Sequence, residues 1–322
     1  MFVLAHLSDP HLQMPAPPGL LELAGKRAIG YINWQRGRHT IHRTDIAAEL
    51  VADLLRHKPD HIAMTGDLVN VAARCEWAAA RAYMQALGTP EGVTAVPGNH
   101  DAYVRSAIAE MDAVYAPYVT PDADANSHAS YGGAQTPTYP FVRRRGPLAL
   151  VGVSTAVATL PFMATGWLGR RQLADLDATL ERLADSGLFR VLLIHHPPTA
   201  ELAHGRRGLS DADALAPPIA RHGVDLILHG HNHTATLAHM PGPAGPVPIV
   251  GVPSASARPT QRKPGAGYAL FEISGSPGVW QVTMVRRGLS PRFAQDGTVE
   301  VVELERRELA CPGYDSSTRA AE

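Results

Sequence analysis

The side chains with the clearest chemical potential lie in five short segments that are rich in Asp, Asn and His. These segments are Asp9-Pro10-His11, Gly66-Asp67, Gly98-Asn99-His100-Asp101, His195-His196 and Gly230-His231-Asn232-His233. Imidazole, carboxylate and amide oxygen ligands suit divalent ions such as Mn, Fe, Co or Zn, and they suit neither copper(I) nor a structural zinc. At least seven such ligands are too many for one tetrahedral ion. They predict two divalent ions bridged by a carboxylate, the arrangement of two-metal phosphoryl-transfer sites.

The spacing inside these segments predicts that neighbouring ligands point the same way. Asp9 and His11 are separated by one residue, as are His231 and His233. Side chains alternate along an extended segment, so we expect each pair to face one centre. A glycine precedes Asp67, Asn99 and His231, and it permits a backbone geometry that a side chain would obstruct.

Each of the five segments directly follows an apolar run that predicts a buried strand. The predicted strands are residues 2–7, 60–64, 93–96, 190–194 and 224–228. Predicted helices lie between them at residues 40–57, 76–87, 102–113, 170–184 and 211–222. This alternation indicates a parallel α/β sheet, whose ligands bind at the carboxyl ends of the strands. Further strands are predicted at residues 139–143, 148–153, 235–239, 247–250, 268–273 and 280–285, with one more in a charged tail from about residue 299.

Two basic stretches lie outside these motifs. Residues 12–40 contain several Pro and Gly residues and mix cations with aromatics, and we expect them to be irregular. Residues 26–39 are either a solvated loop or a cap over the metal site, whose Arg and aromatic side chains meet a substrate. Arg143–Arg145 are interpreted as a charged hairpin turn.

Composition narrows the class of protein. The chain has 322 residues, a formal net charge of −1, and 16 His against 2 Cys. With no large positive field, binding to nucleic acid or to an anionic membrane is not expected. Cys75 and Cys311 are expected to be unpaired thiols. The N-terminus lacks the pattern of a signal peptide and no apolar run is long enough to span a bilayer, so we expect a cytoplasmic protein.

The ordered motifs D-x-H, G-D-x-x-N, G-N-H-D, H-H-P-P and G-H-N-H resemble those of the calcineurin-like metallophosphoesterase family. The resemblance is closest to the bacterial branch that contains class III cyclic-nucleotide phosphodiesterases and glycerophosphodiesterases. The motifs span residues 9–233. The resemblance implies a four-layer αββα sandwich with the active site at the C-terminal ends of the strands. It also implies a metallophosphoesterase domain at residues 1–285, with a cap-like insert at residues 12–40, and a C-terminal extension at residues 286–322.

Roles for individual residues follow from this resemblance. It implies that the first metal is held by Asp9, His11, Asp67 and His233. It implies that the second metal is held by Asp67, Asn99, His195 and His231, with Asp67 bridging. His100 would contact the leaving group or the attacked phosphate, and Asp101 would accept a hydrogen bond from a ligand or catalytic histidine. A metal-bound hydroxide would attack phosphorus.

The resemblance also leaves choices open. Either His195 or His196 can be the ligand, and the family pattern favours His195. His229 lies inside its strand, which favours a packed position. Asn70 stands where many family members have aspartate, and this lowers the charge near Asp67. Arg27, Tyr31, Trp34, Arg38 and His196 are the predicted substrate contacts.

The predicted function is hydrolysis of phosphodiesters, and of phosphomonoesters as well. The expected substrate is a small phosphate ester. It can be amphiphilic, because the insert at residues 12–40 is both apolar and basic. An alternative is a pyrophosphatase or phosphohydrolase that acts on a nucleotide-linked or lipid-linked phosphate. An alternative from a different functional class is a scaffold that binds metal but does not catalyse a reaction. A homo-oligomer is compatible with the sequence.

Overall fold

The structure is a computed structural model that describes residues 1–122, 137–203, 207–260 and 263–311. Its strands are β1 Phe2–Leu7, β2 His61–Met64, β3 Val93–Ala95, β4 Phe141–Arg145, β5 Leu148–Gly152, β6 Phe189–Leu193, β7 Leu226–His229, β8 Thr236–Gly242, β9 Gly245–Gly251, β10 Gly267–Ser274, β11 Gln281–Leu289 and β12 Val301–Leu309. Its α-helices are α1 Lys26–Asn33, α2 His39–Ile41, α3 Thr44–Arg56, α4 Trp77–Leu87, α5 Ile108–Val119, α6 Gly169–Leu183, α7 Ala212–His222 and α8 Phe293–Asp296.

The strands form two six-stranded sheets. The first has the order β12-β11-β10-β1-β2-β3 and the second the order β4-β5-β6-β7-β9-β8. In the first sheet β1, β2 and β3 are parallel, and in the second β5, β6, β7 and β9 are parallel. Parallel strands end at the same edge, so both sheets present their carboxyl ends, and the polar segments that follow them, along one side.

Alternating side chains of the second sheet divide its two faces between different cores. Leu148 and Leu150 of β5 belong to the main core, which also contains the first sheet and helices α3, α4 and α5. Ala149 and Val151 of the same strand pack instead with residues of α6 and α7. Successive strand residues point to opposite faces, so the two sheets lie between two helical layers. The predicted four-layer αββα sandwich is confirmed.

Most predicted elements are present, but the region predicted to be irregular is largely helical. Within residues 12–40, α1 is followed by a π-helical turn at Trp34–Arg38 and then by α2. Among the described residues, no side chain caps the N-terminus of α1. Contacts with the rest of the fold, described below, hold α1 in place, and tertiary packing of this kind supplies most of the stability of short helices.

Two further predictions of local structure were wrong. The helix predicted at residues 102–113 begins later, since α5 starts at Ile108 after a 3₁₀ turn at Arg105–Ala107. The predicted charged turn at Arg143–Arg145 is the end of strand β4. Arg143 is buried, and its guanidinium donates to the carbonyl oxygens of Val93 and Tyr118, so it is a structural residue.

The C-terminal part of the chain continues the first sheet. The predicted boundary between residues 285 and 286 falls within β11, and β12 pairs antiparallel with β11 as the edge strand. Residues 312–322 of the predicted extension lie outside the described residues. In the described ranges, the helices are too short or too polar to cross a membrane.

Candidate metal centre

The predicted ligands converge, but they reach the site on turns and not on extended backbone. The left-handed φ angles are 55° at Asp9, 39° at His11, 59° at Asp67, 68° at His231 and 53° at His233. Positive φ is uncommon for residues other than glycine, and such backbone conformations cluster at functional sites. The prediction of extended backbone at Asp9–His11 and at His231–His233 was therefore wrong, although each pair does face one centre.

Backbone hydrogen bonds between neighbouring loops hold these turns. The N–H of Asp9 donates to the carbonyl of Gly66 at 2.9 Å, and the N–H of His11 donates to the carbonyl of Asp67 at 3.1 Å. The loop after β1 is thereby fixed to the loop after β2. The N–H of His231 donates to Asp9 Oδ2 at 2.9 Å, which fixes the loop after β7 to the same point.

The glycines that precede three of the ligands leave no room for a side chain. A Cβ atom on Gly66 would overlap the backbone nitrogen of Gly98, and one on Gly98 would overlap Asp67 Oδ1. A Cβ atom on Gly230 would overlap the hydroxyl oxygen of Ser8. These close approaches bring the strand-end loops together, as the sequence predicts.

The first ligand group comprises Asp9, His11, Asp67 and His233. His233 Nε2 lies 3.2 Å from Asp9 Oδ1 and 3.0 Å from His11 Nε2. His11 Nε2 is also 3.8 Å from Asp9 Oδ1 and 3.7 Å from Asp67 Oδ2. Ligand atoms about 2.0–2.2 Å from one ion lie within roughly 4.4 Å of each other. These spacings match the ligands of a single ion.

The second ligand group comprises Asp67, Asn99, His195 and His231. Asn99 Oδ1 lies 3.2 Å from His195 Nε2 and 2.9 Å from His231 Nδ1. His195 Nε2 lies 3.4 Å from Asp67 Oδ2, the oxygen that also approaches His11. Asp67 is therefore the residue common to both groups, and its Oδ2 atom lies between them.

The hydrogen-bond network shows that the two groups fit cations. His11 Nδ1–H donates to the carbonyl of Val69 at 3.1 Å, and His195 Nδ1–H donates to the carbonyl of Thr65 at 2.6 Å. Both rings therefore direct Nε2, the atom that can bind a metal, towards the carboxylate of Asp67. Asp9 Oδ1 is buried and has no hydrogen-bond donor among the described residues.

Charge at the site is concentrated on Asp67 and its neighbours. Burial favours the protonated carboxyl, but the charge and the hydrogen bond of His195 outweigh it and keep the pKa of Asp67 below its usual range. Burial would lower the pKa of His195, yet the carboxylates of Asp67 and Asp9 raise it to about 9. The raised pKa of His195 reflects the negative charge of Asp67 and Asp9, which stabilises a cation here.

Asp101 positions the ligand loops, and its contacts differ from those predicted. We expected it to accept a hydrogen bond from a ligand or catalytic histidine. Its carboxylate instead accepts hydrogen bonds from the backbone N–H groups of Asp67, Leu68 and Gly98 at 2.8–2.9 Å, and from the Tyr115 hydroxyl at 2.7 Å. Asp101 thus joins the loop after β2 to the loop after β3 and lies behind the site.

His100 faces the site and is oriented by other groups. Its Nδ1–H donates to the carbonyl of Asn70 at 2.5 Å, and its ring stacks on Tyr103 with centroids 5.6 Å apart. Arg38 Nη1 donates to His100 Nε2 at 3.0 Å, while Arg38 Nη2 lies 2.9 Å from His11 Nε2. Burial and the charge of Arg38 lower the pKa of His100 to about 3, so its ring is neutral.

Of the substrate contacts predicted in the insert, Arg38 reaches the site. Arg27 is buried, and it donates to the carbonyls of Val71 and Ala72, so it anchors α1 instead of facing a substrate. Tyr31 and Trp34 stack on each other with centroids 5.8 Å apart, in a small apolar cluster built on Met14, Val71 and Ala73. That packing disagrees with a direct substrate role for Arg27, Tyr31 and Trp34.

His196 also differs from its predicted role as a substrate contact. The ring is fully buried, its Nδ1 atom lies 2.7 Å from the hydroxyl of Thr155, and its Nε2–H donates to the carbonyl of Ala164 at 3.1 Å. Both nitrogens are therefore used inside the protein. The ring packs against His231 at a centroid distance of 4.4 Å, where it supports the second ligand group.

Asn70 has a neighbour that explains why an amide lies here. Its side-chain Nδ2 donates to Glu76 Oε1 at 3.1 Å and to the carbonyl of Leu12 at 2.7 Å. Glu76 is buried and also accepts the backbone N–H groups of Asn70, Val71 and Ala73. An aspartate would place a second carboxylate against Glu76, so the departure from the family pattern has a local cause.

One buried histidine at the site was missed from the sequence. His42, next to α2, forms with His11 and His233 one of the groups of side chains that can hold a metal ion. The other groups are His195 with His196 and His231, and Asp9 with Asp67 and His195. His42 belongs to no motif and follows no predicted strand, so nothing in the sequence distinguished it.

Comparisons with known proteins agree with this geometry. The family model described as calcineurin-like phosphoesterase matches residues 2–235, more than half of the chain. The glycerophosphodiester phosphodiesterase GpdQ of Enterobacter lignolyticus is 26% identical over 244 residues, which cover 73% of this chain and 72% of the relative. A probable cyclic nucleotide phosphodiesterase of Synechococcus sp. is 27% identical over 262 residues, which cover 78% of this chain and 81% of the relative.

The fold has solved counterparts at much lower sequence identity. A dimetal phosphatase from Danio rerio superposes with a TM-score of 0.58 and 12% identity, and the alignment covers 98% of this chain and 99% of that chain. At this identity the likeness bears on the fold alone.

Proposed function

Because the chain belongs to the calcineurin-like phosphoesterase family and is a metal-dependent phosphoester hydrolase, we propose that it hydrolyses phosphodiesters at a centre of two divalent ions. The first ligand group would hold one ion and the second ligand group the other. Mn, Fe, Co and Zn all suit this set of imidazole, carboxylate and amide ligands.

One observation carries the two-ion proposal. Asp67 Oδ2 lies 3.7 Å from His11 Nε2 and 3.4 Å from His195 Nε2. These two histidines belong to different ligand groups, and each uses its Nδ1–H on a backbone carbonyl. A carboxylate oxygen that faces the Nε2 atoms of two such histidines is the arrangement expected of a ligand shared by two ions.

The protein's own residues would bind and orient the phosphate. When bound, two divalent ions lower the pKa of water enough to supply hydroxide near neutral pH. Arg38 presents a guanidinium to the same space and can donate two hydrogen bonds to phosphate oxygens. His100, fixed by Asn70 and Tyr103, accepts from Arg38 and so orients it. Asp101 keeps the loops of Asp67 and Asn99 in register from behind.

The preference for diesters rests on the relatives. Both curated relatives named above are described as phosphodiesterases, and each alignment covers more than two thirds of both chains. A small organic phosphodiester is the substrate class that this supports. The division of the chain at residue 285 and the cytoplasmic location stay predictions.

An apolar rim favours substrates with a lipid-like part as a second candidate. Tyr103 stacks on His100, Lys26 Nζ lies 4.4 Å from the Tyr103 ring centroid, and Lys26 also donates to Thr159 Oγ1 at 2.7 Å. Leu160 and Phe162, just beyond Thr159, are 72% and 77% exposed. A series of contacts therefore connects the site to these exposed apolar side chains. The lipid part of a lipid-linked phosphate would cover them.

The proposal is tested by turnover on metal-defined protein. Metal-free chain is reconstituted separately with Mn, Fe, Co or Zn, and hydrolysis of bis(p-nitrophenyl) phosphate is compared with that of p-nitrophenyl phosphate. We expect the diester to turn over faster, with two ions per chain. No diester hydrolysis with any of the four metals would contradict the proposal, as would full activity with one ion per chain.

A substrate panel then separates the two candidate classes. Cyclic nucleotides, glycerophosphodiesters and nucleotide-linked lipids are compared for wild type, Leu160→Ser and, as control, Leu304→Ser on β12. Leu304 is 54% exposed and lies on the edge strand of the first sheet. A loss of lipid turnover in Leu160→Ser alone would support the lipid-linked substrate, and equal rates in all three chains would exclude it.

A further inference from the structure

His42 is held rigidly at the edge of the first ligand group. Its N–H donates to the carbonyl of Arg38 at 3.1 Å, and it forms an antiparallel bridge with Ala257. The residues on either side are bound to the same segment, since Ile41 accepts from Arg258 N and Arg43 N donates to the carbonyl of Ser256. His42 is 3% exposed, so its ring is committed to the protein interior.

Two serines determine which ring nitrogen of His42 faces the site. His42 Nδ1 lies 2.9 Å from Ser256 Oγ and 3.2 Å from Ser254 Oγ. The single hydroxyl hydrogen of Ser254 is donated to the carbonyl of Asp9 at 2.7 Å, so towards His42 this oxygen acts as an acceptor. The contact with Ser254 is a hydrogen bond when the ring proton lies on Nδ1, and Nε2 then carries a lone pair.

The ring of His42 lies beside two imidazoles of the first ligand group. Its centroid is 4.7 Å from that of His11 and 5.6 Å from that of His233. One ring nitrogen from each of the three residues lies within 4.8 Å of the others. Three imidazole nitrogens at such separations can share one ion with only a small adjustment, because metal–nitrogen bonds are about 2.0–2.1 Å long.

We propose that His42 is an additional ligand of the first metal ion, so that three imidazoles, His11, His42 and His233, face that ion from one side. The inference rests on the two-ion site proposed above. It makes the first site richer in nitrogen than the second, which has His195 and His231 beside the amide of Asn99. Ser254 and Ser256 hold Nδ1 of His42 and so act on the metal through the orientation of its ring.

The test measures metal binding in the full chain and needs no turnover. Metal-free wild type, His42→Gln and the control His61→Gln are titrated with Co²⁺, following visible absorption and bound metal by elemental analysis. His61 is equally buried, and its ring is hydrogen-bonded to Thr94 in strand β3. We expect His42→Gln to weaken one of the two binding events by about 10–100-fold and to change the cobalt spectrum. The His61→Gln chain should match wild type in both measurements. Wild-type affinity and spectrum in His42→Gln would overturn the inference.

A second measurement uses only the wild-type chain, in case the His42→Gln variant does not fold. Imidazole nitrogens are followed by ¹⁵N NMR of histidine-labelled protein while Zn²⁺ is added to two equivalents. Five rings with a metal-shifted nitrogen support His42 as a ligand, and four overturn it. A chain that binds both ions but does not hydrolyse phosphodiesters would give the same counts, so failure of the proposed activity is distinguishable from failure of this inference.

Discussion

Asp67, on a strand-end loop, and Arg38, in the helical part of the insert at residues 26–41, meet at one site but are held by different kinds of contact. Asp67 is fixed through backbone bonds to the loops after β1 and β3. Arg38 sits on a π-helical turn, and the insert is attached by side chains such as Arg27 and Gln13. The strand ends are suited to holding metal ions rigidly, whereas the insert can vary without disturbing them.

This comparison predicts that changes in the strand-end loops alter metal content, whereas changes in the insert alter substrate binding. Asp67→Ala has the largest expected effect, because its Oδ2 atom lies between both ligand groups. We expect fewer than one bound ion per chain and a loss of diester turnover of more than about 10³-fold. Elemental analysis and steady-state kinetics check this, with the exposed Asp185→Ala as control. Two retained ions would contradict the role of Asp67.

The next largest expected effect comes from a substitution that removes a ligand from only one of the two ligand groups. His231→Ala removes a ligand of the second group only, since its Nδ1 atom contacts Asn99 Oδ1. We expect one ion per chain to remain and turnover to fall by about 10²-fold. The exposed His239→Ala, on β8, is the matched control. If the variant keeps two ions with wild-type affinity, the assignment of the second group is wrong.

Arg38→Ala tests the other side of the comparison. The loss of at least one charge-assisted hydrogen bond to a bound phosphate, worth about 1.5–3 kcal/mol, should lower kcat/KM at least roughly 10–100-fold while two ions per chain remain. Arg36→Ala, an exposed neighbour on the same turn, should behave as wild type. A fall in ion count in Arg38→Ala would break the comparison, because the insert would then also build the metal site.

The same contrast explains what the sequence could predict. Strands that end in Asp, Asn or His carry a periodic apolar signal and a short motif, so Asp9, Asp67, Asn99 and His231 could be found and placed at one edge of the sheets. The helical insert has neither signal. Its helix is uncapped and depends on Arg27 and on the packing of Tyr31 with Trp34, which are tertiary contacts that no local pattern reveals.

Side chains from distant segments were misjudged for the same reason. Arg143 was predicted to lie in a charged turn because two more arginines follow it. Its guanidinium is instead buried and donates hydrogen bonds to the carbonyl oxygens of Val93 and Tyr118. Asp101 was predicted to accept from a histidine because ligand and catalytic histidines usually donate their second N–H to a fixed acceptor. The backbone N–H groups that donate hydrogen bonds to Asp101 belong mainly to the loop after β2, more than thirty residues earlier in the chain.

Asn70→Asp has the smallest expected effect and tests whether the strand-end loops depend on neutral partners as well as on ligands. The new carboxylate would face Glu76 and lose the donated hydrogen bonds to Glu76 and to the Leu12 carbonyl. We expect the free energy of unfolding to fall by about 1–3 kcal/mol, with two ions still bound. Denaturant unfolding of the metal-free chain measures this, with the exposed Asn33→Asp on α1 as control. Unchanged or higher stability in Asn70→Asp would show that Glu76 tolerates a second carboxylate, and the local explanation for Asn70 would then fail.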